Sequence, residues 1–299
     1  MRTVIECVPN ISEGRDSKIV SGIAEAVRSA PGVRLLDVSS DPSHNRSVLT
    51  FVADAEGVRA GARALFDAAV PRIDLTQHSG EHPRMGAVDV FPIIPIGGAT
   101  VEKCVALSRE VAAEIASRHG IPVYLYEDSA TSEKRRNLAE IRKGEFEGFA
   151  AKMKGADWKP DFGPEAPHPT AGVVAVGARA PLIAYNINLA TRDLGVADRI
   201  AKAIRHLGGG FRYVKAMGVE LADRGQVQVS INMTNYRKSP LHRVFECVRS
   251  EAERHGVAIV GSEIVGLAPA EALLAAAEHY LRLERFSTDQ VLELRLLEE

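Results

Sequence analysis

Within nine positions, His78-Ser79-Gly80-Glu81-His82-Pro83-Arg84-Met85-Gly86 gather two imidazoles, a carboxylate, a guanidinium, two glycines and a proline. These groups move protons and hold anions, and their density is hard to assign to scaffold. An imidazole titrates near neutral pH, and one held between Glu81 and Pro83 has little freedom, which suits His82 to general acid/base work. A satisfied structural histidine is the alternative, for His78 more than for His82. His78, Glu81 and His82 also follow the H-x-x-E-H order of inverted zinc peptidases, which requires both histidines on one helical face. Gly80 and Pro83 oppose a helix there, and no third ligand follows, so no metal is expected.

Three further groups could meet a substrate. Asp37, Asp41, His44, Asn45 and Arg46 lie in and beside a turn between two apolar runs. Polar residues are ordinary in a turn, but an arginine opening directly into a strand can pair a carboxylate bidentately, and Arg84 can do the same. Val8-Pro9-Asn10-Ile11-Ser12-Glu13-Gly14 joins a strand to a helix and sets Asn10 at the carboxyl end of a strand, where α/β sheets bind ligands. Asn186 and Asn188 end one later strand, as Asn232 and Asn235 end another. They serve either as turn formers or as amide or carboxylate binders at a cleft between two sheets.

The elements that position these residues alternate along the chain. Val4 to Val8 reads as a strand, Ile19, Val20, Ile23, Ala24 and Val27 as a helix ended by Pro31-Gly32, and Val33 to Val38 and Val48 to Val52 as strands. A helix over Glu56 to Ala69, a strand over Val88 to Ile96, a helix over Val101 to Arg118 and a strand over Val123 to Tyr126 follow. A charged helical piece, Glu133 to Phe149, then leads into WKPDFGPEAPHPTAG, too rich in proline and glycine for a regular element. From Leu182 onward the order is strand, helix, strand, strand, helix, strand, which is the ferredoxin-like order. The opening of the chain has the same sequence of elements with a strand and helix added. The expected fold is α/β (α+β), with two ferredoxin-like β-α-β-β-α-β domains carrying mixed or antiparallel sheets, 1–178 and 179–299, joined near Gly172 to Ala180.

Composition narrows the function class. The chain has 299 residues, 45% of them hydrophobic, and a formal net charge of −2. No basic stripe invites nucleic acid or a membrane surface, which leaves small-molecule substrates. Cys7, Cys104 and Cys247 are odd in number and set among apolar neighbours, the pattern of reduced core thiols. The N-terminus lacks the signature of a signal peptide and no apolar run reaches membrane length, so a cytoplasmic protein is expected. Val291, Leu292, Leu294 and Leu297 near the end suit packing across a homodimer or docking on their own domain.

Several long motifs together resemble one family. ECVPNISEG at Glu6 to Gly14, the pair Asn45-Arg46, GEHPRMGAVDV at Gly80 to Val90, PVYLYE at Pro122 to Glu127, RRNLAEIRKGEFE at Arg135 to Glu147, DWKPDFGP at Asp157 to Pro164, GARAPLIAYNINL at Gly177 to Leu189 and VGSEIVGLAP at Val260 to Pro269 are similar to the formiminotransferases (glutamate formimidoyltransferases). The resemblance implies transfer of a formimidoyl group from N-formimidoyl-L-glutamate to N5 of tetrahydrofolate, a step of histidine breakdown, with tetrahydrofolate as co-substrate and no metal. The family's catalytic histidine falls on His82. Its folate-contacting loop falls on Gly163, Pro164, Glu165, Ala166, Pro167, His168, Pro169, Thr170, Ala171 and Gly172, with Phe162 or Trp158 offering apolar area to the pterin, or Trp158 serving equally as an ordinary core anchor. The acidic residue that animal members carry two places after Asp37 is Ser39 here, so Asp37 or Asp41 would orient His82. Arg46 and Arg84 would hold the glutamate carboxylates. Animal members fuse this domain to a cyclodeaminase; a chain ending at Glu299 resembles the stand-alone form. Formyl transfer from 5-formyltetrahydrofolate or formylglutamate is the alternative reaction on the same scaffold.

Overall fold

The computed structural model describes residues 3–221 and 224–296. The chain divides into two compact units, Met1–Ala180 and Pro181–Glu299.

Unit 1 begins with one interrupted strand. β1 (Ile5–Cys7) and β2 (Asn10–Ile11) flank Val8-Pro9, and both lie between the same two neighbours. α1 (Ser17–Arg28), β3 (Arg34–Asp41), β4 (Arg46–Ala53), α2 (Ala55–Ala69), β5 (Val88–Pro95), α3 (Val101–His119) and β6 (Val123–Leu125) follow. Three short helices come next, α4 (Glu133–Arg136), α5 (Leu138–Arg142) and α6 (Glu145–Lys152), and then β7 (Val174–Ala178). β3, β4, β1 with β2, and β5 are antiparallel neighbours, while β7 runs parallel to both β5 and β6, so the sheet is mixed.

Helix starts follow their capping chemistry. The Asp16 carboxylate accepts from the N–H groups of Lys18 and Ile19 at the start of α1, and Asp54 does the same for Gly57 in α2, filling orphan donors that otherwise need water. Val20, Ile23, Ala24 and Val27 bury one stripe of α1. With α2 and α3 it covers one face of the sheet, over a core that includes Phe51, Phe66, Phe91 and Leu107. α5 and α6 cover part of the opposite face, where Ile141, Phe149 and Met153 meet Val90, Tyr124, Tyr126 and Ala175. Each large apolar side chain removed from water there contributes roughly 1.5–3 kcal/mol.

The segment expected to join two domains is a strand instead. β7 is buried at every position, and residues buried on both faces leave no alternation to read. The proline-rich stretch before it is ordered. The Asp161 carboxylate accepts from the Leu125 N–H at 2.8 Å and the Thr131 hydroxyl at 2.6 Å, and pairs with Arg135 at 2.9 Å. Arg135 in turn donates to the Asp157 carbonyl. Trp158 and Phe162, offered above as pterin contacts, pack against the two core clusters, and the Lys152 ammonium lies 3.8 Å from the centre of the Trp158 ring.

Unit 2 contains β8 (Ile183–Leu189), α7 (Leu194–Ile204), β9 (Val214–Leu221), β10 (Gln226–Met233), α8 (Leu241–Arg254) and β11 (Ile259–Val265), then α9 (Ala270–Leu281) and α10 (Leu292–Leu296). Its sheet is antiparallel in the order β11-β8-β10-β9. β8 alternates strictly: Ile183, Tyr185, Ile187 and Leu189 enter a core with α7 and α8, which leaves Asn186 and Asn188 on the other face. Leu292 is exposed and Val291 and Leu294 are half-buried; Leu297 lies outside the described residues. Cys7, Cys104 and Cys247 are unpaired. No described helix is long and apolar enough to cross a membrane.

Because both side chains of the Arg135–Asp161 pair are almost fully buried, removing one partner strands a charge. Asp161→Ala should lower unfolding free energy by about 3–5 kcal/mol, read from urea denaturation.

Candidate active site

Three loops of unit 1 converge on Asn45, whose backbone adopts a left-handed φ of 48° in the turn between β3 and β4. Asparagine tolerates that conformation better than most residues, and every polar group of its side chain is used. Its Oδ1 accepts from the Gly14 N–H at 3.0 Å, and its Nδ2 donates to the Ser79 carbonyl at 3.0 Å. The Asn45 backbone carbonyl meets Nε2 of His78 at 2.9 Å. The turn and the 78–86 loop are further joined by the Glu81 N–H on the Ser43 carbonyl. Gly80 is required at this junction: a Cβ there would lie 2.4 Å from the His44 carbonyl oxygen.

The nine-residue run is a loop, as expected, and its two histidines do different work. The Arg84 Nε donates to His78 Nδ1 at 3.1 Å, so Nδ1 is the acceptor and Nε2 carries the proton given to Asn45. His78 thereby ties the loop to the turn. With both its ring nitrogens occupied and no helix between it and His82, the peptidase-like H-x-x-E-H order does not form a metal-binding face. Arg84 is equally committed: its other donors reach Glu145 at 3.0 Å, Glu147 at 3.0 and 2.6 Å, and the His78 carbonyl at 3.3 Å. All five guanidinium hydrogens are engaged, which leaves none for a substrate carboxylate.

His82 faces a different environment. Its ring lies edge-on to His44, centroids 5.9 Å apart. Burial first, then the positive fields of Arg46, Arg142 and His44, push its pKa from 6.5 to about 2. The imidazole is therefore neutral at working pH, well below the near-neutral titration expected of it. Asp41 reaches it only through His44: Oδ2 sits 3.1 Å from His44 Nδ1, while Oδ1 accepts the N–H groups of Ser43 and His44. Asp37 pairs with Thr50 further along β3, about 13 Å from Asp41 at strand rise, and makes no hydrogen bond to His82.

Arg46 is the open group of the site. Burial lowers its pKa to about 10, with Arg142 adding to the effect and Asp89 and Asp41 opposing it. One Nη2 hydrogen goes to the Asn10 Oδ1, and Nε is buried with no partner. Asn10 itself is 5% exposed and anchored by its Nδ2 on the Val8 carbonyl at 2.9 Å. Arg142 is paired with the buried Asp89, 2.8 Å from its Nε, and Asp89 also takes the Met85 N–H at 2.9 Å. Neither Asp89 nor Arg142 was singled out in the sequence, although a carboxylate inside the apolar run VDVFPIIP demands a buried partner.

The segment matched to a folate loop lies beside this site. Thr170 and Ala171 accept from the Leu75 and Ala87 N–H groups at 2.9 and 3.0 Å, and Gly172 bridges to Gly86. Gly172 has φ +66°, and a Cβ there would be 2.1 Å from the Met85 carbonyl oxygen, so the approach is open to glycine alone. His168 Nδ1 accepts the Ala171 N–H at 3.0 Å and closes the turn. Gly163, Pro164, Glu165 and Ala166 form the exposed end, where Glu165 pairs with Lys159; Pro167 is half-buried and Pro169 exposed. Asn186 and Asn188 belong to unit 2.

Two outcomes follow from this geometry. Asn45→Ala removes both side-chain bonds from a buried hub and should lower stability by about 1–3 kcal/mol per orphaned partner, measured by denaturation. His82 is neutral when folded but takes up a proton below about pH 6.5 when unfolded. Acid thus favours the unfolded chain, and stability rises with pH up to that value. Between pH 4 and 6.5, unfolding free energies should change less steeply with pH in His82→Gln than in the wild type, by about one proton.

Known proteins share this whole arrangement of sequence. A family model described as the formiminotransferase domain, N-terminal subdomain, matches residues 4–179, and one described as the formiminotransferase domain matches residues 184–296. A glutamate formimidoyltransferase of Streptococcus pyogenes serotype M1 is 51% identical over 298 residues, covering 99% of this chain and 100% of the relative. One from Thermoplasma acidophilum is 46% identical, covering 98% and 97%. The formimidoyltransferase-cyclodeaminase of Sus scrofa is 43% identical over 95% of this chain, which corresponds to 53% of the longer relative. The chain belongs to the formiminotransferase domain family.

Proposed function

We propose that the protein is a glutamate formimidoyltransferase: it moves the formimidoyl group of N-formimidoyl-L-glutamate to N5 of tetrahydrofolate and releases L-glutamate. The observation that carries this reading is the 51% identity to the streptococcal enzyme along both full lengths. The two family matches support subdomains 1–178 and 179–299. The element order of unit 2 and its β11-β8-β10-β9 sheet support a ferredoxin-like fold for it; in unit 1 the order β5, β1 with β2, β4, β3 supports the same fold enlarged by β6 and β7.

In this mechanism His82 carries the proton. As N5 bonds to the amidinium-like formimidoyl carbon, the neutral imidazole accepts the N5 proton and a tetrahedral centre forms. The bond from that carbon to the glutamate nitrogen then breaks, and His82 returns the proton to the departing amine. Arg46, oriented by Asn10 and carrying an open Nε, takes a carboxylate of the donor. That negative charge offsets the positive field on His82, so an occupied site holds a stronger base than an empty one. Asp41 steadies the base through His44. Arg84 is assigned to holding the loop, and Gly163 to Gly172 to receiving tetrahydrofolate. The reduced thiols suit a cytoplasmic enzyme, and the exposed Leu281, Leu292 and Leu296 suit a homodimer, which the mass in solution would test.

Purified protein given both substrates should form 5-formimidoyltetrahydrofolate, read after acid conversion to the absorbing methenyl form. His82→Ala should lose about 10²–10⁴-fold in kcat and keep its affinity for tetrahydrofolate; loss of both together would make His82 structural. Arg46→Lys, which forfeits bidentate pairing, should raise KM for the donor and leave KM for tetrahydrofolate in place. Wild-type turnover with formylglutamate but not with the formimidoyl donor would move the assignment to formyl transfer.

A further inference from the structure

Arg142 closes α5, and its anchor lies beside the residues that orient Arg46 and His82. Asp89 of β5 precedes Val90, which pairs in register with Asn10 of β2, the residue that accepts from Arg46. Asp89 Oδ1 takes the N–H of Met85, in the loop that carries His82. One buried carboxylate therefore ties Arg142 to the strand behind Arg46 and to the loop of the base. The positive field of Arg142 reaches both of those side chains.

This anchor spends little of the guanidinium. Arg142 Nε, at 2.8 Å, and Nη2 both donate to a single oxygen, Oδ2 of Asp89. A guanidinium carries five N–H groups; among the described residues, both hydrogens of Arg142 Nη1 and the second of Nη2 have no partner. The side chain is only 16% exposed, so these donors are largely withdrawn from water and unfilled by protein. Charge points the same way. Asp89 pairs with Arg142 and its field also acts on Arg46, so two guanidiniums share this carboxylate, while Asp41 is turned to His44.

Two incompletely bonded guanidiniums near one base fit a ligand that carries two carboxylates. We infer that Arg142 is a second donor-binding residue: with Arg46 it holds the two carboxylates of N-formimidoyl-L-glutamate, one each, and so selects a dicarboxylate over a monocarboxylate. The inference rests on the transferase reading and gives Arg142 the part that the sequence suggested for Arg84, whose own donors are filled.

Arg142→Lys keeps a cation for Asp89 but loses the fork. KM for the formimidoyl donor should rise about 10–100-fold, the range for hydrogen bonds to a charged group, while KM for tetrahydrofolate and the urea midpoint stay near their wild-type values. Two donor analogues assign the contact: N-formimidoyl-4-aminobutyrate lacks the α-carboxylate, and N-formimidoyl-L-2-aminobutyrate lacks the γ-carboxylate. One of them should bind the wild type weakly and lose nothing further in Arg142→Lys; the other should behave so in Arg46→Lys. In the wild type itself, glutarate should compete with the donor about 10-fold better than butyrate or more. An unchanged donor KM in Arg142→Lys, equal losses for the donor and both analogues, or equal competition by glutarate and butyrate would overturn the inference. Should calorimetry find Arg142-dependent binding of N-formimidoyl-L-glutamate by a wild type that transfers nothing to tetrahydrofolate, the transferase reading fails and the dicarboxylate site stands.

Discussion

A guanidinium taken out of water needs a compensating anion or a full set of acceptors, and four such groups stand out among the described residues of unit 1. Arg135 has Asp161, Arg142 has Asp89, and Arg84 has Glu145 and Glu147. Arg46 alone has a neutral partner, the Asn10 carboxamide, and an Nε with none. The three compensated pairs fix the short helices and the proline-rich stretch against the sheet. The uncompensated one adds to burial in keeping His82 neutral.

The same arrangement explains why a histidine can sit in so positive a neighbourhood. His82 is held by its loop, not by a charge partner, and the loop is held by Asn45, Gly80 and the His78–Arg84 contact. Position is therefore set independently of protonation. A base whose location did not depend on its charge could pass a proton out and back without shifting the groups around it.

How far this was legible follows from the range of each interaction. The Asp16 cap and the Val20, Ile23, Ala24, Val27 stripe of α1 lie within a few turns of one another, so they read directly from the sequence, as did the strand and helix order of unit 2. β7 did not, because five buried residues interrupted by a glycine look like a join when neither face alternates. The roles of Arg84, Arg142 and Asp89 were hidden for another reason: their partners are 53 to 63 residues away, and like-looking arginines differ only in what the fold brings to them. Asp41 and Asp37 were indistinguishable in sequence for want of the strand register that separates them. The motif RRNLAEIRKGEFE, conspicuous as a string, turns out to supply one side of each compensated pair: the cations Arg135 and Arg142 of two, and the anions Glu145 and Glu147 of the third.

The unpaired state of Arg46 also carries a cost for the empty protein. A buried cation without its anion destabilises the fold that contains it, and replacing such a group by an apolar side chain of similar volume is often neutral or stabilising. Selection for thermal robustness alone would thus tend to erase Arg46, and with it the donor contact proposed for it. On that proposal, persistence in the resting enzyme and competence with substrate pull this one position in opposite directions.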